Sequence, residues 1–404
     1  MVSYLKQIYD IFLYLSVFFG LYFSTYSIIT YLENLSSKKR TITKKEKISI
    51  LIPAYNEGKN IAQTISFVLN LDWPKEIIVI DDGSTDDTAE QARKFFKLGV
   101  KVFSKKNGGK ADAINFGIDK CNSDFIFILD ADSFPEKNCI EKMMPYFEDK
   151  RVAAVIPTLK PWNRENLIEK LQDVEYSLAS FLKKISAFSK SLSVVPGAPI
   201  IRKKFLMKYG KFDKNNITED FEMGLRIKKM GYTVEHALDA FVYTKVPSTL
   251  KKLLRQRIRW DYGTLYNIRK YKELIGTKYG ELGFYLLPSI IISTIFAIVF
   301  AIGWPILLFN SIKDSIENFY LVKFDLNYFL NFEPHPIIIT FKMIYLLTIL
   351  SLALTTIIYF ISTKKIREKI RIEYIIFIFF YGWLLCVFRF ISLIYILINK
   401  KPKW

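Results

Sequence analysis

Four apolar runs, at about 8–32, 282–309, 337–362 and 372–399, constrain this chain more than any other feature. Each supplies the roughly 20 apolar residues that a helix needs to cross a bilayer core. The first run is too long for a signal peptide, starts with only Lys6 and precedes no small-residue cleavage site, so it reads as a retained membrane helix. Basic residues set an orientation. Lys38, Lys39, Arg40, Lys44, Lys45 and Lys47 follow the first run, and Lys364, Lys365, Arg367, Lys369 and Arg371 separate the third from the fourth. Both places are expected on the cytoplasmic side. The link 311–336, with Lys313 and Lys323 against Asp314, Glu317, Asp325 and Glu333, reads as the outer side. Lys400, Lys401 and Lys403 break this pattern, which leaves a plain span or a re-entrant final run. The polar block 37–280 is then cytosolic. Part of the net charge of +19 then needs no nucleic-acid partner, because the anionic surface of a lipid bilayer attracts such juxtamembrane segments.

Within the block, strand and helix patterns alternate. Residues 48–53 read as a buried strand, and Asn60 opens a helical pattern with Ile61, Ile65, Val68 and Leu69 on one face. A second strand, 76–80, ends in Asp81-Asp82-Gly83-Ser84, and Thr85, Asp86 and Asp87 read as the cap and first turn of a helix. A third strand spans 100–104, and Lys105 to Lys110 lead into a helix over 111–118. A fourth, 124–129, delivers Asp130-Ala131-Asp132. Four such alternations predict an α/β fold with a doubly wound, mostly parallel sheet. Ligands of such sheets sit at the carboxyl ends of the strands, where Ala54, Tyr55, Glu57, Asp81, Asp82, Lys110, Asp130 and Asp132 would gather. Side chains two apart on an extended chain point the same way, so Asp130 and Asp132 can converge on Mg2+ or Mn2+, with substrate phosphates completing the shell. A solvated turn is the alternative. No G-x-G-x-x-G or Walker A pattern is present, which disfavours dinucleotide and P-loop chemistry. Cys121, Cys139 and Cys386 show no paired spacing, so neither disulfide nor zinc is expected, and His236 and His335 read as structural.

Past residue 135 the pattern is less regular. A helix over 163–184 carries Ile168, Leu171, Val174, Leu178, Phe181 and Leu182 at core spacing. Pro196-Gly197-Ala198-Pro199 reads as a close backbone approach or a bulge. Thr218-Glu219-Asp220 caps a helix that Gly231 ends. That position favours the weakly basic anion, so a general base there needs burial to restore its basicity. Residues 250–268 form an amphipathic helix with Leu250, Leu253, Leu254, Ile258 and Leu265 on one side. Lys251, Lys252, Arg255, Arg257, Arg259 and Arg269 are then available to headgroups, as in an interfacial helix. Arg389 lies inside the last apolar run, lining a polar path or snorkelling to an interface.

Asp81-Asp82-Gly83, Gly109-Lys110-Ala111, Asp130-Ala131-Asp132, Thr218-Glu219-Asp220 and Gln256-x-x-Arg259-Trp260 occur in that order. With membrane helices on either side, the chain resembles the membrane-embedded family 2 glycosyltransferases over about 48–260, the group of cellulose, chitin, hyaluronan and poly-N-acetylglucosamine synthases. The resemblance implies a GT-A-type fold and an inverting, metal-dependent transfer from a UDP-sugar to a polysaccharide or oligosaccharide acceptor, with export of the polymer by a multi-pass cell-membrane protein. It implies that Asp81 and Asp82 contact uridine, with Ala54, Tyr55 and Glu57 nearby. Lys110 lies near the diphosphate, Asp132 holds the metal beside Asp130, and Asp220, next to Glu219, takes the acceptor proton. Arg259 steadies the departing diphosphate, Trp260 stacks on the acceptor sugar, and Gly197 and Gln256 line its site. The two prolines around Gly197 depart from the pattern, and four spans are few beside the cellulose enzymes. The division expected is a membrane helix at 1–36, a catalytic domain at 37–245, an interface helix at 246–280 and a membrane region at 281–404. Two other readings stay open: a transferase adding one sugar to a polyprenyl phosphate or other lipid, and a non-catalytic membrane sensor or transporter. Accessory subunits are unspecified.

Overall fold

Isoleucine, β-branched and suited to a doubly buried pleat, dominates the first strand β1, Ile48–Ala54, all seven residues of which are buried. The computed structural model describes residues 2–35, 45–321, 343–398 and 400. Lys38, Lys39, Arg40, Lys44, the 322–342 segment with Lys323, Asp325, Glu333 and His335, and Lys401 and Lys403 lie outside these.

The other strands are β2 (Lys75–Asp81), β3 (Val100–Ser104), β4 (Phe125–Ile128), β5 (Ser133–Pro135), β6 (Val152–Pro161), β7 (Ile200–Arg202) and β8 (Thr233–Thr244). They form one sheet in the order β3-β2-β1-β4-β7-β6-β8-β5. The first four are parallel, as the alternating pattern predicts. The rest is mixed: β7 runs against β4 and β6, β8 runs with β6, and β5 runs against β8. The reason lies in the connections. The long helix after β6 leaves the chain at the carboxyl edge, so β7 must re-enter the sheet from that edge.

After α1 (Val2–Glu33), the helices α2 (Ile61–Leu69), α3 (Thr88–Arg93), α4 (Lys110–Lys120), α5 (Cys139–Met143), α6 (Leu167–Phe188), α7 (Lys203–Tyr209) and α8 (Glu219–Lys229) accompany the sheet. Period-two alternation sends Ile48, Ile50 and Ile52 to one face with Ile65 and Ile140, and Leu51 to the other with Ile114, Phe205 and Met223. Two local expectations are corrected. The helix expected at Thr85 starts at Thr88, because the Asp86 carboxylate accepts the amides of Gly58 (3.1 Å) and Thr88 (3.0 Å) and fastens two loops together. Asp130 and Asp132 are not on an extended strand; they lie in a turn closed by the Ser133 amide on the Asp130 carbonyl (3.0 Å).

Among the described residues, four stretches are long and apolar enough to cross a membrane: Ile11–Glu33, Leu282–Asn310, Leu346–Lys365 and Glu373–Leu397. Helix α9 (Leu250–Lys270) is followed by α10 (Leu287–Leu321), α11 (Met343–Lys365) and α12 (Gly382–Leu397), the last preceded by a π turn at Phe377–Tyr381. Helix α6, opened by an Asn166/Glu169 capping box, seats them. Its Phe181 and Ile185 pack on Tyr31 and Ile358, its Leu171 on Leu253, Tyr381 and Phe388, and its Val174 on Tyr359 and Tyr374. Helix α6 thus serves both the membrane helices and the sheet, where it lies against β6 and β8. The 366–372 loop is bound to the same platform by ions: Arg164 grips Glu368 through two bonds (3.0 and 2.8 Å), Lys160 adds a third (3.1 Å), and Asp173 pairs with both Arg164 (3.2 Å) and Arg371.

Candidate active site

Strand ends and helix starts converge on two cavities along the carboxyl edge of the parallel strands. The larger, about 640 Å3, is lined by Ala54, Tyr55, Glu57, Asp82, Lys110, Asp130, Asp132 and Arg259 among others. The smaller, about 310 Å3, is lined by Lys110, Asp130, Asp132, Gly197, Glu219, Asp220, Gln256, Arg259 and Trp260 among others. Four residues therefore belong to both: Lys110, Asp130, Asp132 and Arg259. Thirteen of the fourteen residues singled out from sequence reach this pair of cavities. Asp81 lines neither; it is buried and accepts the Ser84 amide at 3.0 Å. Successive side chains at a strand end face opposite ways, which separates it from Asp82.

The Asp82 carboxylate is itself engaged. It accepts the amides of Gly108 (3.0 Å) and Gly109 (2.7 Å) and the ammonium of Lys105 (2.6 Å), pinning the loop before α4 to the end of β2. Gly83 permits this: its φ is +71° and a Cβ would come within 2.8 Å of the Asn107 nitrogen. Lys110, the first residue of α4, holds Asp130 at 2.5 Å. Burial opposes its charge, but Asp130, Glu219 and Asp220 outweigh burial and raise its basicity. Asp132 goes the other way. Burial, then the Asp130 and Glu57 charges, push its carboxyl up to about 7. Glu219 is likewise raised, chiefly by burial, with Lys110 opposing and Asp220 reinforcing. Asp220 accepts its neighbour Phe221's amide at 2.8 Å, and its carbonyl accepts the Val195 amide at 3.2 Å, which ties α8 to the segment holding Gly197. Gly197 has φ +66°, and a Cβ there would press on Leu159 at 2.9 Å.

Helix α9 presents Gln256, Arg259 and Trp260 to the smaller cavity. Arg257, expected among the headgroups, is buried instead: it donates to Glu175 at 2.7 Å and lies 4.4 Å from the Trp260 ring centre. Arg259 is also withdrawn from any lipid surface by its place in both cavities. Glu175 accepts a second bond from Tyr381 at 2.8 Å, so the ring is backed by a network reaching α12. Leu250, counted on the apolar side, is exposed, whereas Leu253 and Ile258 are buried. Sequence reasoning missed Lys105, Glu175, Tyr176, Lys183 and Asp261. The α6 residues carry a faint signal, since 176, 179 and 183 repeat at helical spacing beside an apolar stripe.

The larger cavity sets Lys110 and Arg259 against the carboxylates of Glu57, Asp82, Asp130 and Asp132, so a phosphate-bearing ligand there calls for a cation beside the acids, and the smaller cavity offers Glu219 and Asp220 as candidate bases. Among the described residues no three His, Cys, Asp or Glu side chains form a ready cation cage. Asp130 and Asp132 on the shared wall nevertheless fit an Mg2+-type ion, which needs one or two carboxylates and keeps its other positions for phosphate oxygens and water.

Residues 49–210 match the model of glycosyl transferase family 2. The chain carries a family 2 glycosyltransferase domain. It is 31% identical over 269 residues to a poly-beta-1,6-N-acetyl-D-glucosamine synthase of Staphylococcus aureus (strain COL), covering 64% of this chain and 65% of that one. With a Staphylococcus epidermidis protein of the same name it shares 32% identity over 224 residues, 54% of each chain. The matches thus span between about half and just under two thirds of these relatives' length. The glycosyltransferase domain and its helices also share a fold with the mannosyltransferase PcManGT from Pyrobaculum calidifontis, solved in complex with GDP-Man and Mn2+. There the TM-score is 0.62 at 15% identity, over 98% of this chain and 100% of that one.

Proposed function

We propose that this protein is an inverting, metal-dependent hexosyltransferase that moves sugar from a UDP-sugar to the end of a growing polysaccharide at the cytosolic face of the cell membrane, and passes the polymer across it. The observation that carries this is the pair of cavities with four residues in common. A donor in the larger and an acceptor in the smaller meet only at Lys110, Asp130, Asp132 and Arg259, which is where a diphosphate would leave.

Tyr55, half exposed at the mouth of the larger cavity, packs on the base, and Ala54, Glu57 and the Asp82 loop border it. Lys110 and Arg259 face the diphosphate. Asp132, with Asp130 alongside, holds Mg2+ or Mn2+, which when bound neutralises diphosphate charge. Burial and the Asp130 and Glu57 charges push the Asp132 carboxyl up to about 7 against the pull of Lys110, and such a group gains from a cation. Asp220 takes the proton from the acceptor hydroxyl as it attacks the anomeric carbon from the side opposite the diphosphate, and Glu219 adjoins it. A positioned base of this kind is worth about 10² to 10⁴ in rate. Trp260 stacks on the acceptor sugar, with Gln256 and Gly197 beside it. The 366–372 loop is fastened to the catalytic domain, which supports an orientation with that loop, the 36–47 link and the domain together in the cytosol.

The names of the similar staphylococcal proteins make UDP-N-acetylglucosamine the first donor to try. Purified full-length protein with labelled donor and Mn2+ is expected to yield a ladder or high-mass product, lost in Asp220→Asn and Arg259→Ala. Label confined to organic-phase lipid would replace this reading by single-sugar transfer to a lipid. No turnover of any UDP-sugar would remove the enzyme reading.

A further inference from the structure

Four cations line the smaller cavity: Lys110, Lys183, Lys245 and Arg259. Three are engaged. Lys110 holds Asp130, Lys245 donates to Asn60 at 2.6 Å, and Arg259 has its own partner. Lys183 differs, since its ammonium makes no hydrogen bond or ion pair with any described residue. It is half-buried on the cavity wall, and burial lowers its basicity against the pull of Asp220 and Glu175. It belongs to no motif that marked the rest of the site. It stands on α6, and with Tyr176 and Ala179 it forms one helical stripe along the cavity wall. Other sides of that helix are taken by the membrane helices and by β6 and β8, and this stripe lines the cavity.

An ammonium has three donors and no acceptor capacity, and leaving them unmet away from water is costly. The partner it lacks must be an oxygen lone pair. The larger cavity, where the donor nucleotide is placed, does not include Lys183. What enters the smaller cavity beside Asp220 and Trp260 is the acceptor. Resting on the transferase reading above, we infer that Lys183 is an acceptor-binding residue whose ammonium donates to a hydroxyl or amide oxygen of the acceptor's terminal sugar. It fixes that sugar from the α6 side while Trp260 fixes it from α9, so the attacking hydroxyl is held toward Asp220 from two directions. Glu175 attracts the ammonium from a distance without bonding it; its Oε2 takes Arg257 and Tyr381.

The test uses the full-length protein with UDP-N-acetylglucosamine and an N-acetylglucosamine oligomer, and compares wild type, Lys183→Met and Lys183→Arg. The methionine variant keeps the length of the side chain without its donors. It is expected to raise the acceptor KM about tenfold or more, the loss of one charge-assisted hydrogen bond, while the donor KM stays put. The arginine variant is expected to recover most of the affinity. An unchanged acceptor KM in Lys183→Met overturns the inference. So does a joint rise in donor and acceptor KM that arginine fails to rescue, which would make Lys183 a structural residue. A wild-type protein that turns over no UDP-sugar fells the transferase reading and this inference together, whereas active wild type matched by Lys183→Met fells only the inference.

Discussion

Arg389 Nε reaches Asp261 Oδ1 at 3.2 Å, and the same guanidinium donates to Ser293 at 2.9 Å. The charge that stood out within the last apolar run is thus paired with the residue immediately after Trp260, and α9 is moored to both α10 and α12. Burial raises the Asp261 carboxyl while Arg389 opposes it. Removing one partner strands the other. Arg389→Gln and Asp261→Asn are each expected to lower the thermal midpoint in detergent and to raise the acceptor KM through a displaced Trp260. The double variant should fall short of the sum, with a coupling of about 1 to 3 kcal/mol in a double-mutant cycle. Simple additivity would show that the pair does not act as a unit.

Arg259 borders both cavities, so its removal should act on the chemical step more than on binding. Arg259→Ala is expected to cost about 10² to 10³ in kcat, in line with deleting one donor to developing charge. Asp220→Asn should cost at least as much. Single-turnover measurement with saturating donor separates these losses from weaker binding.

Divalent cations should be required. Chelation with EDTA is expected to abolish transfer, and Mn2+ or Mg2+ to restore it. Asp132→Asn should raise the metal concentration needed sharply, while Asp130→Asn frees Lys110 and acts on donor affinity as well. Titration of activity against Mn2+ reads both.

Glu219 gives a pH prediction. Its folded-state carboxyl is pushed up to about 7, above the ordinary glutamate value of 4.5, mainly by burial. The folded protein therefore retains a proton that the unfolded chain releases, and wild-type stability falls as pH rises from about 4.5 to 7. Glu219→Gln escapes that loss. Its stability relative to wild type should grow over the same window and level off above it, reaching at most about 3 kcal/mol. Thermal midpoints of the two proteins from pH 4.5 to 8 provide the comparison, and a flat difference would contradict it.

Glu368 is expected to matter for stability as much as any core residue. It is buried between Lys160 and Arg164. Glu368→Gln leaves Lys160 without its counter-charge and Arg164 with Asp173 alone, at a cost of about 3 to 5 kcal/mol, the range for breaking a buried pair. Time-dependent inactivation at elevated temperature would report it.

The parallel half of the sheet was legible because β1, β2 and β4 are nearly continuous apolar runs, each closed by acids or a turn. The mixed half was not, since three-residue strands such as β5 and β7 carry no periodicity and take their direction from where α6 leaves the chain. Residues of the site that close a strand or open a helix, such as Asp82, Lys110, Asp132 and Asp220, could be picked out from that position alone. Asp81 shows the limit of this, because adjacency in sequence at a strand end means opposite directions in space. Lys183 and Glu175 were hidden for another reason: on a helix whose apolar stripe was obvious, the polar side looked like solvent-facing surface. Arg257 was misjudged likewise, because a cation on an amphipathic helix gives no sign of the Glu175 waiting opposite it.

The seam of charge under α6 has a practical consequence. Lys160, Arg164 and Asp173 belong to the part that does the chemistry, and Glu368 and Arg371 to a short hairpin between two hydrophobic helices. A protein shortened before residue 280 would expose an orphaned Lys160 and the bared Arg164–Asp173 pair on its underside together with the greasy flank of α6, and should precipitate rather than behave as a soluble enzyme. Catalysis and anchorage are here a single casting, and whatever tilts one in the lipid must tilt the other.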